Sequence, residues 1–443
     1  MRRVLLVCHS YPPGVQYVLR AVKFAELLPK HGWDVVVLTP GGVASDANAD
    51  MISPRQSVIR TRHIPTLSTL ARRWRSRGSP ERYADRPHID RPSRNSHGML
   101  ERFARRALLW GDTPDAMVGW VPFATTAGLR AVRQLNIDVV CATAPAFSTA
   151  VTGALISRWS HVPLVLDFRD VWTLDERDPF GVIGGSFVAE KARRRLALIR
   201  RLEKHVVTRA EHVVFASTEA QRRYVCQYPS LGGRTSTIFN GAEPDEFRDV
   251  EPFASPTIAH VGTIHGYQLL QVVSLLRGFA RARESDLPKN TRLTFVGFIA
   301  EGVEDIRSEV NRLRLTEFVE FTGPIPHADA LDHMQRSHVL LLFSGKSRVP
   351  RLSKISEYVA TGRPVLAFGE ADSETGREVV KYGGVITASS DPEDIARLLR
   401  VAFERFSLVE RAGISIADPH PLNRETNARD LANVLEQVAS RAD

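Results

Sequence analysis

The chain has 443 residues, 43% hydrophobic and 25% charged, which is too long for a single core and too apolar for a disordered or fibrous chain. A net charge of +9 implies an anionic partner: a phosphorylated small molecule, a membrane surface or nucleic acid. Cys8, Cys141 and Cys226 are far apart and odd in number, which argues against a disulfide framework or a zinc site; they read as reduced core thiols.

In chain order, the apolar run Val4–Val7 predicts a first strand, followed by the turn "HSYPPG". Apolar residues at helical spacing from Val18 to Leu28 then end at Gly32, and "DVVVL" (34–38) follows as a second strand. This is the opening βαβ unit of a parallel sheet. Residues 138–145, 163–170 and 212–217 are further buried strands, with a helix expected from Ser148 to Arg158 and another after Ser217. Between the strands at 34–38 and 138–145, residues 72–106 carry arginines far in excess of acids and little periodicity. That excursion reads as a solvated loop, with contact to anionic lipid as the alternative. Too few aromatics interrupt it for a nucleic-acid stacking platform, so no nucleic-acid partner is expected.

A polar, proline-containing stretch places the interdomain linker at 248–256, after an N-terminal domain of residues 1–247. The strand–helix rhythm then restarts for a C-terminal domain of residues 257–425. Its strands are "TIAHVG", "LTFVG", "VEFTG", "HVLLLFS", "VLAF" and "GGVITA"; helices fall at 269–283, 303–313, 328–335 and 392–405. A final helix lies in 426–443 and suits either domain. The fold class is therefore α/β, with two Rossmann-like doubly wound domains.

Ligands of such sheets sit beyond the carboxyl ends of the strands, and the chemically suggestive residues fall there. Gly14 opens the first helix, where free N–H groups suit a phosphate; a tight turn explains it equally well. Gly262 and Thr263 follow the first C-domain strand and allow close backbone approach. In "RLSKISEYVATGRPVLAF", Ser353 is a plausible N-cap, Lys354 a mobile cation, and Glu357 an acceptor for a ribose diol, with Arg348 and Arg351 nearby. The plain alternative is an exposed Lys354–Glu357 ion pair. "DFRDVW" places Asp167, Arg169 and Asp170 after a buried strand, as an Asp–Arg structural pair or as an acceptor-side pocket. No Asp-x-Asp occurs, so no metal bridging a pyrophosphate is expected, and no Walker A, HExxH, GxSxG or CxxC motif is present.

In order, "YPPG", "ATAPAFS", "LVLDFRDVW", "FNGAEPDEF", "HVGTIHG", "FTGPIP" and "KISEYVATGRPVLAF" resemble a family 4 glycosyltransferase of the glycosyltransferase-B fold, over nearly the whole length. The resemblance implies two domains facing across a cleft, retention at the anomeric carbon, and a nucleotide-diphosphate sugar as donor with no cofactor. The acceptor would be a saccharide, a lipid-linked species or a small molecule. Glu357 matches the family's ribose-binding glutamate, Lys354 a lysine near the donor phosphates, Gly14 the loop glycine that approaches the diphosphate, and Gly323 and Ile325 the loop beside the base. Lys354, Asp170 and Arg169 form the expected catalytic group, with Asp170 positioning the acceptor. The chain departs from the family in having Val349 for one glutamate of a pair, and His265 and Gln268 where an arginine and a lysine are frequent. A nucleotide-sugar 2-epimerase on the same scaffold is the alternative activity.

No apolar run approaches the roughly 20 residues that span a bilayer, so a cytoplasmic protein is expected. The basic run Lys191–Lys204 reads as an amphipathic helix, with peripheral contact to the inner face of an anionic membrane as the other reading.

Overall fold

The structure is a computed structural model that describes residues 1–13, 19–41, 56–66, 69, 112–174, 186–248, 250–285, 287–299, 302–345, 352–412 and 422–441. The arginine-rich stretch 72–106, Gly14, Arg348 and Arg351 lie outside the described residues. The chain divides into two compact units, residues 1–239 with 425–443, and residues 240–424.

The first unit is a seven-stranded parallel sheet in the order β3-β2-β1-β4-β5-β6-β7. Its strands are β1 (Arg2–Val7), β2 (Trp33–Pro40), β3 (Ser57–Thr61), β4 (Val139–Ala144), β5 (Leu164–Phe168), β6 (His212–Phe215) and β7 (Thr235–Thr237). Its helices are α1 (Leu19–Leu27), α2 (Val121–Leu135), α3 (Phe147–Ser160), α4 (Ser186–Arg209) and α5 (Thr218–Gln227). β4 and β5 are short, mostly apolar and buried throughout, and β1 is buried from Val4 onward, as central strands of a parallel sheet must be. β3 and β7 went unpredicted because they are edge strands, only partly buried and rich in Ser and Thr.

The second unit repeats the topology with six parallel strands in the order β10-β9-β8-β11-β12-β13. These are β8 (Thr257–Val261), β9 (Arg292–Val296), β10 (Val319–Gly323), β11 (Val339–Phe343), β12 (Val365–Phe368) and β13 (Val385–Thr387). They alternate with α6 (Leu269–Ser285), α7 (Val303–Arg312), α8 (His327–Arg336), α9 (Lys354–Ala360), α10 (Glu374–Lys381) and α11 (Pro392–Ala412). Alternate residues of one strand serve opposite faces: Leu341 and Phe343 pack with Val272, Leu276, Phe279 and Leu399, whereas Leu340 and Leu342 pack with Met334, Ile355 and Tyr358. Both faces are thereby covered, the doubly wound arrangement expected from sequence.

The division falls at Phe239/Asn240, ahead of the expected linker at 248–256. Those linker residues run along the second unit, where Phe253 N–H donates to Arg336 O at 2.9 Å and Arg248 N–H to Gln335 Oε1 at 2.5 Å. The last helix, α12 (Arg424–Ala439), leaves the second unit after Arg424 and buries Leu431, Leu435 and Val438 against the β1 and β2 side of the first. Cys8 and Cys141 are buried and unpaired as expected. Cys226 is exposed, a correction to its reading as a core thiol, because α5 is strongly polar and turns that position to solvent.

Candidate active site

In both sheets the strand order reverses between the first and fourth strands, at β1/β4 and at β8/β11, and the crevice at such a reversal is where ligands of open α/β sheets bind. Among the described residues singled out from sequence, Gly262, Thr263, Lys354 and Glu357 lie near the second of these points and Arg169 and Asp170 near the first, whereas Gly323 and Ile325 fall at the end of edge strand β10.

In the second unit, Gly262 directly follows β8 with φ +153° and Gly297 directly follows β9 with φ +122°. A Cβ on Gly297 would lie 2.3 Å from the Gly262 carbonyl oxygen, so this backbone approach requires glycine. Gly297 N–H also donates to Gly323 O at 3.0 Å, which brings the turns after β8, β9 and β10 side by side. Thr263 and Ile325 are half-buried in these turns, and Gly323, at φ +70°, has open space above its Cα.

Helix α9 is held over the same edge by its apolar stripe, Ile355, Tyr358 and Val359. Tyr358 fixes its register: the hydroxyl accepts from Val261 N–H at 2.9 Å, one residue before Gly262. Lys354 Nζ donates to Glu357 Oε2 at 2.6 Å, so the ion pair that sequence offered as the plain alternative does form. It is sunk rather than splayed into solvent, with side-chain exposures of 32% and 12%. The Lys354 stem also lies beside the glycine turn, its Cε 3.8 Å from where a Gly262 Cβ would be.

Burial would raise the Glu357 carboxyl, but Lys354, Arg424 and His327 outweigh it and hold the group below the ordinary carboxylate range. Arg424, itself buried, stands 3.6 Å from Glu357 Oε1 and donates to Gly241 O at 2.9 Å. Ser353 occupies the N-cap position of α9 in helical conformation, exposed, with no side-chain cap bond; its reading as a capping residue is therefore corrected. Gln268 is also buried, with Nε2 donating to Phe343 O and Oε1 accepting from His265 N–H, so it fills the position of the frequent lysine without offering a charge.

Beneath the turn, His260 donates from Nδ1 to Leu341 O at 3.0 Å while its buried Nε2 has no partner among the described residues. Burial lowers this imidazole to about 4, so it is neutral at pH 7.

In the first unit an Asp–Arg pair forms, but not within "DFRDVW". Asp167 is held in a buried bidentate pair by Arg20 of α1, with Nη2–Oδ1 at 2.9 Å and Nε–Oδ2 at 3.0 Å, and Arg20 also donates to Ile238 O and Phe239 O. Arg169 instead donates to Pro145 O across the β4/β5 ends, and its buried Nε lacks an acceptor among the described residues. Asp170 is half-buried next to it. His9, after β1, accepts from Ala146 N–H at Nδ1, and burial, reinforced by Arg169, lowers it to about 3. Sequence reasoning passed over His9, Arg20 and Arg424. For His9 the position directly after a buried strand was a usable signal; the other two find partners far along the chain.

Two Rossmann-ordered sheets in one chain, each with polar groups at its point of reversal, are the glycosyltransferase-B architecture. The chain belongs to glycosyltransferase family 4, whose model, "Glycosyltransferase Family 4", matches residues 18–246; the model "Glycosyl transferases group 1" matches residues 255–404. Similar solved structures include Anabaena HepE in complex with UDP and glucose, 15% identical, covering 100% of this chain and 99% of that one at a TM-score of 0.56. A glycosyltransferase from Rickettsia africae is 13% identical, covering 99% and 98%, at 0.57. Sucrose-phosphate synthase from Thermosynechococcus elongatus is 18% identical, covering 100% and 97%, at 0.55. None of the curated proteins compared with the chain matches it. Among the described residues no helix is long and apolar enough to cross a membrane.

Proposed function

We propose that this glycosyltransferase moves a sugar from a nucleotide-diphosphate sugar to an acceptor hydroxyl, with retention and without a metal. The observation that carries the reading is the sunken Lys354–Glu357 pair beside the Gly262 turn at the β8/β11 reversal. Charge develops on the departing diphosphate, and a preorganised cation placed where it appears lowers the barrier. Lys354 supplies that cation. Glu357, kept ionised by Arg424 when Lys354 turns to the phosphates, receives the ribose diol. Gly262 and Thr263 admit the pyrophosphate, and the main chain from Gly323 to Ile325 runs along the base; Gly14, Arg348 and Arg351 complete the donor set. The UDP and glucose bound by HepE support a donor of this chemical class.

On the acceptor side, Arg169 and Asp170 position the incoming hydroxyl, and neutral His9 stands beside them. The acceptor is a saccharide, a lipid-linked species or a small molecule of polysaccharide biosynthesis. Cytoplasmic placement with peripheral membrane contact agrees with the exposed Arg194, Arg200, Arg201 and Lys204 of α4. Vesicle flotation tests that contact.

A thermal-shift screen against nucleotide diphosphates and their sugars tests the donor assignment, since a ligand at 100 times its Kd stabilises by about 2.7 kcal/mol. Absence of a shift with every nucleotide diphosphate contradicts it. NMR of donor without acceptor separates transfer from epimerisation, and the anomeric signals of the product report retention.

A further inference from the structure

The first unit carries a polar pocket at the end of β5 opposite Arg169 and Asp170. It has a volume of about 450 Å³ at Pro163, just ahead of β5, where α3 and α4 end and beside the last turn of α12. Its ionisable lining is His161, His205, Arg209, Glu211 and Arg441.

The arginines of this pocket differ from several others in the chain. Arg20, Arg222, Arg277 and Arg424 each meet a carboxylate. Among the described residues, Arg209 and Arg441 have no hydrogen bond and no ion pair, and the Arg209 Nε is shut off from solvent with no acceptor. Capping of the helix ends does not occupy them either. Ser157 O near the end of α3 accepts from His161 N–H at 2.9 Å, and Ala210 O just past α4 accepts from Arg234 Nη1 at 2.8 Å. Three helix carboxyl ends make it tolerable to collect cations here. They leave two guanidinium groups without a partner among the described residues in the lining, with a single carboxylate, Glu211, on the wall.

We infer that this cavity binds a phosphate monoester, free in solution or as the headgroup of an anionic lipid. A phosphate offers the planar donor forks of two arginines several charged oxygens at once, and guanidinium–phosphate pairing is frequently bidentate. The volume is that of a small-ligand pocket rather than of a bare-ion site. Because α3, α4 and α12 all contribute to the wall, a bound phosphate ties the carboxyl-terminal helix to the body of the first unit and stabilises that unit by mass action. This site is independent of the donor and acceptor assignments above.

The test uses the full chain carrying Lys354→Gln, so that a donor-side phosphate site does not contribute. Calorimetric titration with inorganic phosphate and with glycerol 3-phosphate covers the soluble source. Flotation with phosphatidylcholine vesicles, one-fifth phosphatidic acid, covers the lipid source. Saturable binding of one phosphate per chain, weakened about tenfold or more by Arg209→Gln with Arg441→Gln, is expected. Arg222→Gln, whose guanidinium is already paired with Glu219 on exposed α5, is expected to bind like the parent. Binding of the soluble esters assigns a free ligand; binding of vesicles alone, with the same arginine dependence, assigns a headgroup. Should the Arg209 variant misfold, exposed Arg441→Gln alone carries the comparison. No binding in either arm, or binding indifferent to both arginines, overturns the inference.

Discussion

Replacing Glu357 by alanine separates its structural role from its role toward donor. Removing one partner of a fully buried ion pair costs about 3–5 kcal/mol, but the orphaned Lys354 is 32% exposed and can turn to water. Arg424, the other cation at Glu357, keeps Glu246 at 3.4 Å and Glu243 at 3.6 Å. The stability loss should therefore be only about 1–2 kcal/mol, read by urea denaturation. The effect on donor is larger, because a hydrogen bond to a charged group contributes about 1.5–3 kcal/mol, which weakens nucleotide binding roughly 10- to 150-fold. Titration calorimetry of the folded variant, with whichever nucleotide diphosphate gives the largest thermal shift, reads that loss. Glu357→Gln keeps one acceptor oxygen and should fall at the lower end of the range. A folded Glu357→Ala protein whose Kd stays within about twofold of the parent refutes the assignment.

Asp167→Ala should cost about 3–5 kcal/mol, because it strands the Arg20 guanidinium in the core of the first unit; a loss under about 1 kcal/mol in urea denaturation contradicts the buried pair. Gly297→Ala should destabilise the second unit by about 1–3 kcal/mol, through its positive φ and a Cβ 2.3 Å from Gly262 O, and should weaken nucleotide binding by displacing the Gly262 turn; a calorimetric melt and a titration like the parent's argue against this packing. His260 is held at about 4 against an ordinary 6.5, so the folded protein refuses a proton that the unfolded chain takes. Its contribution is complete above pH 6.5 and is lost as pH falls toward 4, up to about 3 kcal/mol, and His260→Leu should flatten the stability profile in that window by a like amount.

Most of the scaffold could be read from the chain because central strands of a parallel sheet are unbroken apolar runs. "DVVVL", "PLVLDF" and "HVLLLF" declare themselves whatever surrounds them. The edge strands β3 and β7 do not, since half-exposed Ser and Thr look like loop. The expected linker at 248–256 and the division at Asn240 differ because polar composition cannot tell a free connection from an extended segment whose N–H groups bond along one unit, as Phe253 and Arg248 do. The destination of α12 was equally unreadable: Leu431, Leu435 and Val438 mark a buried face without saying which sheet buries it.

At the site, sequence supplied the cluster around residue 354 but not its controls. Tyr358 looks like one more apolar position of α9, and Arg424 lies in a stretch with no motif, yet together they set where Glu357 stands and what charge it keeps. "DFRDVW" suggested a local pair, whereas the partner of Asp167 lies 147 residues away. Spacing along a chain reveals neighbours on one element; contacts between elements appear only once the sheet order is known.

A crystal structure of the chain with a bound nucleotide diphosphate tests the central claim most directly. The account predicts a phosphate oxygen within about 3 Å of Lys354 Nζ and the ribose hydroxyls on Glu357, with the 2.6 Å Lys354–Glu357 contact broken. A nucleotide seated elsewhere, with that contact intact, contradicts it.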